Sequence, residues 1–163
     1  DVAPSRGLGD VYKRQGVTYA TTTMGADHTA GYAVATNILG CGGKTDPLSA
    51  EGQAEISRNL QIATAAIDAT GYCLFTAFAL LDQPETMQAL VDTINAMYDL
   101  NMSLDDVTEL GKDILRKERA FNAAAGFTKA HDRLPLYFSR ESVAPHNVRW
   151  DVSDEDLDSV FNF

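Results

Sequence analysis

Apolar residues recur at helical spacing along most of this chain, and no stretch shows the apolar and polar alternation typical of a strand. In one such row, Met87, Leu90, Val91 and Ile94 share a single helix face. Glycine and proline interrupt these rows at short intervals. The pattern therefore predicts an all-α, multi-helix domain with short connections.

The first half of the chain is predicted to hold two helices. The first runs from about Asp27 to Leu39, where Gly40 and the glycines after it stop it. The second follows Pro47, with Ser49 as its N-cap. Gly71 weakens this second helix, and residues 72–81 are expected to resume it as an almost wholly apolar core segment.

Three more helices are predicted in the second half. One starts near Pro84, one follows the N-cap Ser103 and ends at Gly126, and a short one follows Ser153. Residues 131–150 are expected to be irregular. Three apolar rows are predicted to face the core: Ile56, Leu60, Ala63 and Ile67; Met87, Leu90, Val91, Ile94 and Met97; and Leu104, Val107, Leu110, Ile114 and Phe121.

The length and net charge of the chain limit the classes of protein to which it can belong. A chain of 163 residues suits one domain, which we place at residues 16–163. Residues 1–15 lack apolar periodicity and look like a translated adapter remnant, with a native disordered leader as the alternative. The net charge of −10 makes nucleic acid a poor partner. No apolar run approaches the ~20 residues of a membrane span.

The segment from Asp68 to Cys73 concentrates chemically useful groups at a predicted helix break. A carboxylate accepts paired hydrogen bonds from a ligand edge that carries N–H donors, and a thiolate is a ligand for iron. The chain has only two cysteines and no secretory signal, which favours a reducing cytoplasm over a disulfide framework. From spacing alone, Cys73 could equally be a buried free thiol, and Asp68 an exposed acid at a helix end.

His28 is the histidine best placed for proton transfer, since it lies between Asp27 and Thr29 near a predicted helix start. A surface-capping role is the alternative. His131 and His146 have no spaced partners and are expected to face solvent. The sequence shows no phosphate-binding glycine loop, no Ser/His/Asp motif and no zinc-ligand spacing.

Three blocks in order resemble the C-terminal region of the tungsten-containing aldehyde ferredoxin oxidoreductases, from about Gly16 to Leu136. The first block is Gly25-Ala-Asp-His-Thr-Ala-Gly31 and the second is Asp68-Ala-Thr-Gly-Tyr-Cys73, which resembles the pterin-contacting Asp-x-x-Gly-Leu-Cys segment of that family. The third is Glu118-Arg-Ala-Phe-Asn122, followed by Gly126-Phe127 and Asp132-Arg-Leu-Pro135. One departure is Tyr72, which stands where the family pattern has leucine.

The resemblance implies roles for individual residues. Asp68, Tyr72, Cys73 and Leu74 would contact the tungsten bis-pterin cofactor or the [4Fe-4S] cluster, with Cys73 as the fourth cluster ligand. His28 would approach the metal and the substrate carbonyl. Cys41 matches no family ligand, and the third block is interpreted as a helix-end and loop anchor through Arg119, Asn122, Asp132 and Arg133.

The resemblance also implies a reaction and partners. The chain is expected to be a fragment, inactive alone, of a cytoplasmic enzyme that oxidises a small aldehyde to a carboxylate with ferredoxin as acceptor. Its N-terminal and middle domains, which would carry the other three cluster cysteines, would be missing. Molybdenum instead of tungsten, the identity of the aldehyde and a homo-oligomeric state stay open. The alternative function is a non-catalytic helical interaction module that has lost its cofactor, with the larger ring of Tyr72 as its motivation.

Overall fold

The structure, a computed structural model, describes residues 13–33, 35–41, 46–142 and 146–163. Seven α-helices and no strand lie within these ranges, which confirms the all-α prediction. The helices are α1 Lys13–Thr21, α2 Gln53–Ala69, α3 Ala77–Asp82, α4 Pro84–Tyr98, α5 Leu104–Ala124, α6 Tyr137–Arg140 and α7 Asp154–Ser159. Shorter turns of 3₁₀-helix span Thr29–Gly31, Leu74–Thr76 and Lys129–His131, and a π-helical turn spans Ala35–Leu39.

Helix α1 is absent from the sequence prediction. It begins at Lys13, inside the segment assigned to a leader, and Gln15 and Val17 are fully buried. Residues 1–12 of that predicted leader lie outside the described residues. The division of the chain at residue 16 therefore stays a prediction.

Helix α2 is the central element, since it packs against both α1 and α5. Helices α2 and α5 approach closely at Gly111, where an added Cβ would clash with the backbone oxygen of Ile62. A side chain at that position would force the two helices apart. The close α2–α5 approach sets the distance between the elements that form the candidate site.

The predicted helix from Asp27 to Leu39 is wrong as a continuous element. The Asp27 carboxylate accepts hydrogen bonds from the Thr29 backbone N–H (2.6 Å) and the Thr29 hydroxyl (2.7 Å). Such local bonds compete with helical ones. After Gly31 the backbone leaves the helical region at Tyr32, with φ −56° and ψ 70°.

The start predicted for the second helix is also wrong. Ser49 accepts a hydrogen bond from the N–H of Glu51 (3.2 Å), which closes a turn and does not cap a helix. Helix α2 starts later, at Gln53, after Gly52 with φ 69°. Its predicted apolar face is correct in its essentials, because Leu60 and Ile67 are buried.

Residues 72–81 do not form the predicted core segment. Gly71, with φ 79°, ends the helical run as expected. The chain then continues as the Leu74–Thr76 turn and α3, where only Ala77 and Leu80 are buried. Phe75 is 74% exposed. High apolar content here does not produce burial, because neighbouring elements cover only one side of this stretch.

The starts of α4 and α5 are confirmed, with Pro84 in the first turn of α4 and a capping box between Ser103 and Asp106 in α5. Gly126, with φ 95°, follows the end of α5. Three members of the predicted core rows are exposed: Met97 (73%), Phe121 (74%) and Leu104 (43%). Met97 and Phe121 lie beyond the last buried residue of their helices, and Leu104 is the first residue of α5.

The segment after α5 is held by few regular elements. The region predicted to be irregular contains α6, and the Trp150 N–H donates to the Phe138 carbonyl (2.8 Å). The short last helix is confirmed as α7, capped by the hydroxyl of Ser153. Across the described part of the chain, no helix combines the length and apolar character that a membrane crossing requires.

Candidate functional site

The segment between Asp68 and Cys73 is an ordered turn. The Thr70 hydroxyl donates to the Ile67 carbonyl (2.5 Å), and the Gly71 N–H donates to the Asp68 carbonyl (3.0 Å). Beyond the turn, the Cys73 carbonyl accepts the N–H (2.9 Å) and the hydroxyl (2.7 Å) of Thr76. These backbone bonds fix the turn without using the carboxylate of Asp68 or the thiol of Cys73.

Both functional groups of this turn reach solvent. Cys73 is a free, exposed thiol, so the alternative of a buried core cysteine does not describe it. Asp68 is exposed as well, and Tyr72 between them is 40% exposed. Leu74 differs, because it packs against the apolar cluster of Ile67, Ala77, Leu80 and Leu90 and anchors the turn to the core.

A pocket of about 260 Å³ opens beside Asp68. Its walls come from the loop after α1, from α2 and from α5, and it is lined by Thr23, Met24, Ala30, Gln61, Thr64, Ala65, Asp68, Ala69, Ile114, Leu115 and Glu118. Partial burial raises the pKa of Asp68, and the negative charges of Asp27 and Glu118 raise it further. A ligand with N–H donors or positive charge would relieve this repulsion.

The pKa of Asp27 shifts in the opposite direction from that of Asp68. Burial alone would raise the pKa of Asp27, but the hydrogen bonds from the hydroxyl and N–H of Thr29 and the charge of His28 outweigh it, so that the pKa is lowered. Asp27 therefore stays ionised and orders the loop around His28.

His28 lies exposed at the start of the Thr29–Gly31 turn and is the first ring in a row of aromatic contacts. Its ring centroid is 5.7 Å from that of Tyr32, which meets Phe78 edge-on at 5.4 Å. Phe78 in turn lies 6.3 Å from Phe75. The row links the His28 block to the stretch that follows Cys73, although 45 positions separate His28 from Cys73 in the sequence.

The third block joins the other two through helix α5. Glu118 accepts a hydrogen bond from the Thr23 hydroxyl (2.6 Å), and the Asn122 amide donates to the Thr23 carbonyl (2.8 Å). Glu118 also lines the pocket with Asp68. Glu118 belongs to the third block but has no role predicted from the sequence. The signal that could have found it is a carboxylate one helical turn before an amide, on one face of α5.

Other residues of the third block form anchors. Arg119 binds Asp132 through two hydrogen bonds (2.9 and 2.6 Å). Arg133 pairs with Asp154 (3.0 Å) and Asp158 (2.9 Å). Burial alone would lower the pKa of Arg133, but these two carboxylates outweigh it and raise the pKa. The contacts agree with the interpretation of this block as a helix-end and loop anchor.

The remaining candidates lie apart from this site. His131 is exposed and its Nδ1 accepts the Thr128 N–H (3.0 Å), and His146 is exposed. Cys41 is a partly buried free thiol. Within the described ranges, no three His, Cys, Asp or Glu side chains are grouped so that they could hold a metal ion. Cys73 and Asp68, by contrast, are exposed side chains that a ligand can reach.

Comparison with known proteins identifies similar sequences over most of the chain. Residues 9–161 match the sequence model of the family described as aldehyde ferredoxin oxidoreductase, domains 2 and 3. The tungsten-containing aldehyde ferredoxin oxidoreductase of Pyrococcus horikoshii is 35% identical over 128 residues, which is 77% of this chain and 20% of that protein. The enzyme of the same name from Thermococcus kodakarensis is 34% identical over equal shares.

The chain thus spans about a fifth of the length of the curated relatives it matches. The match to the family extends beyond the three blocks, from a point ahead of α1 to the residues after α7. On this coverage, and with the three family-like blocks joined around one pocket, the chain belongs to the aldehyde ferredoxin oxidoreductase family.

Proposed function

We propose that this chain is part of a cytoplasmic oxidoreductase that converts an aldehyde and water into a carboxylate and passes two electrons to ferredoxin. The cofactors would be a tungsten bis-pterin, with molybdenum as the alternative metal, and a [4Fe-4S] cluster. When bound, these groups supply the redox chemistry, while the protein binds, orients and manages protons. The names of the relatives, which state tungsten and ferredoxin, support this proposal.

The observation that carries the proposal is the placement of Asp68 and Cys73. An ordered turn presents both side chains to solvent, and Asp68 borders a pocket. The donor set fits the proposed groups, because an ionised carboxylate only accepts hydrogen bonds and an exposed thiolate is a ligand for iron. Asp68 would bind the N–H groups of the pterin, and Cys73 would bind iron. Tyr72 and Leu74 would flank that contact, with Leu74 tied to the core.

His28 would transfer a proton to the substrate carbonyl or from water. Its imidazole is exposed, lies at a tilt against the ring of Tyr32 and follows the ionised Asp27 in the chain. Such a ring can donate a proton to a carbonyl oxygen or accept one from water near neutral pH. The chain is proposed to be inactive alone, because a cluster of this type takes four thiolates and the chain has two cysteines.

The experiment is metal analysis of the full-length protein that carries this chain. We expect tungsten and iron in the purified protein and viologen-linked oxidation of an aldehyde. Cys73→Ser should lower the iron content, whereas Cys41→Ser, the matched control at the other free thiol, should leave it unchanged. A folded full-length protein that contains neither metal would contradict the proposal and favour a helical interaction module, for which the exposed ring of Tyr72 would be a contact.

The role of His28 needs a separate variant. His28→Gln should lower kcat by about 10²-fold or more, the usual contribution of a general acid or base, with iron and tungsten contents unchanged. His146→Gln, at an exposed histidine outside the site, is the control. Equal activity in both variants would remove His28 from the reaction.

A further inference from the structure

Glu118 and Asn122 hold one residue of the opposite loop from both of its ends. Glu118 accepts the Thr23 hydroxyl (2.6 Å), and Asn122 donates to the Thr23 carbonyl (2.8 Å). The two side chains are four positions apart on α5, so they lie on the same helix face. Thr23 is thus fixed to α5 across 95 and 99 positions of sequence.

The loop between Thr23 and His28 is short and tightly turned. The Gly25 N–H donates to the Thr22 carbonyl (3.2 Å), and Gly25 adopts φ 89°. The Asp27 N–H then donates to the Gly25 carbonyl (2.6 Å). These two backbone hydrogen bonds brace the short connection between Thr23 and His28, which lies five residues later.

Glu118 also belongs to the pocket beside Asp68. The buried Gln61 lines the same pocket, and its side-chain carbonyl has no hydrogen-bond partner within the described residues. The Gln61 amide, by contrast, donates to Thr21 (3.0 Å) and lies 3.3 Å from the Ser57 hydroxyl. The pocket wall is largely apolar, and the carboxylates of Asp68 and Glu118 and the unpaired carbonyl of Gln61 add hydrogen-bond acceptors to it.

We propose that Glu118 is a positioning residue of this site. Its carboxylate anchors the Thr23 loop that carries His28, and its negative charge acts on the carboxylate of Asp68, which lines the same pocket. This inference rests on the proposed function for the roles of Asp68 and His28. The charged groups that act on Asp68 are Asp27, from the loop, and Glu118, from α5. His28 acts in turn on Asp27.

Carboxyl titration by NMR tests the electrostatic half in the full 163-residue chain, without cofactors. Glu118→Gln keeps an oxygen that can accept the Thr23 hydroxyl but removes the charge. We expect the pKa of Asp68 to move down in this variant, because a negative neighbour is lost. Glu109→Gln is the matched control, since Glu109 is an exposed acid on the same helix that pairs with Lys112. An Asp68 titration equal in both variants would overturn this half.

Glu118→Ala tests the anchoring half, because it removes the acceptor as well. The backbone amide signals from Thr23 to His28 should shift strongly in Glu118→Ala and much less in Glu118→Gln. In the full-length enzyme, kcat should fall further in Glu118→Ala than in Glu118→Gln, because only the alanine variant loses the loop anchor as well as the charge, with equal metal contents. Unchanged loop signals in Glu118→Ala would overturn the anchoring role. A full-length protein without metal or activity would contradict the proposed function and leave both NMR results standing.

Discussion

The interior beside α1 and the segment after Gly71 reverse the usual relation between hydropathy and burial. Around α1 and α2, polar residues are buried: the Thr18 and Ser57 hydroxyls are 2.7 Å apart, and the Gln61 amide donates to Thr21. In the segment after Gly71, by contrast, the apolar side chain of Phe75 is mostly exposed.

The difference shows that contacts between elements decide burial in this chain. Helices α1 and α2 approach closely enough to exclude water from small polar side chains, which then hydrogen-bond to one another. The Leu74–Asp82 stretch packs on α4 through Leu80, while Phe75 faces outward. An exposed apolar surface beside an exposed thiol is what a contact with further protein would use.

The largest effect is expected within the apolar segment itself. Leu80 is 8% exposed and packs with Ile67, Ala77 and Leu90, so Leu80→Ala should lower the free energy of unfolding by about 3 kcal/mol. Phe75→Ala should change it by less than about 0.5 kcal/mol, because little of that ring is buried. Urea unfolding measures both, and a cost for Phe75→Ala close to that of Leu80→Ala would break the comparison.

The buried polar cluster should give the next largest effect. Ser57→Ala removes the hydroxyl that contacts the Thr18 hydroxyl and the Gln61 amide, so each of these buried groups loses one hydrogen-bond contact. We expect a loss of about 2 kcal/mol in the free energy of unfolding. Ser139→Ala, which removes an exposed hydrogen bond to the Leu136 carbonyl, is the control and should cost much less. A neutral Ser57→Ala would mean that the cluster adds nothing to stability.

The N-cap of α5 lies outside both regions and provides a reference for the size of a purely local effect. The Ser103 hydroxyl accepts the Asp106 N–H (3.2 Å) at the start of α5, so Ser103→Ala should lower the free energy of unfolding by about 1 kcal/mol.

The backbone N–H and the hydroxyl of Ser103 lower the pKa of Asp106. The contribution of the Asp106 carboxylate is thus present above the ordinary carboxyl range and is lost as pH falls below about 4. Thermal melts of the wild type and Asp106→Asn between pH 3 and 6 should converge at the acid end.

The smallest effect is expected at Asp68, with the opposite sign. Because the folded-state pKa of Asp68 is raised, its ionisation costs stability as pH rises from about 4 through that pKa. Asp68→Asn should therefore stabilise the isolated chain above that range, by less than about 1 kcal/mol since the side chain is exposed. Melts at pH 4 and pH 7 measure this, with the exposed Asp82→Asn as control. A destabilised Asp68→Asn at pH 7 would contradict the repulsion from Asp27 and Glu118.

The helices that carry strong local signals were predictable from sequence. Pro84, Ser103 and Ser153 mark real helix starts because a first-turn proline and an N-cap hydroxyl act within three residues. Helix α1 gave no such signal, because its buried face includes the polar residues Gln15, Thr18 and Thr21 and so forms no apolar row. The Asp27–Leu39 helix failed because the side chain of Asp27 bonds to its own loop.

The candidate site was predictable only in part. Asp68, Cys73 and His28 were identified from residue type and family resemblance, and their catalytic and ligand roles stay predictions. Glu118 and Tyr32 were given no role, although the structure places them against the Thr23 loop and the His28 ring. Their importance arises from contacts between residues far apart in the chain, and spacing along one helix cannot report such contacts.

By itself the sequence determined the all-α class, the capped helix starts and the break at Gly71, because propensity, capping and positive φ are properties of neighbouring residues. Only the tertiary structure decided that the helix-spaced Phe121 is exposed while Gln61 is buried, and that Asp27 and Glu118 raise the pKa of Asp68. The physical reason is that burial and electrostatic coupling depend on which elements approach, and here the close contact of α2 and α5 at Gly111 sets that approach.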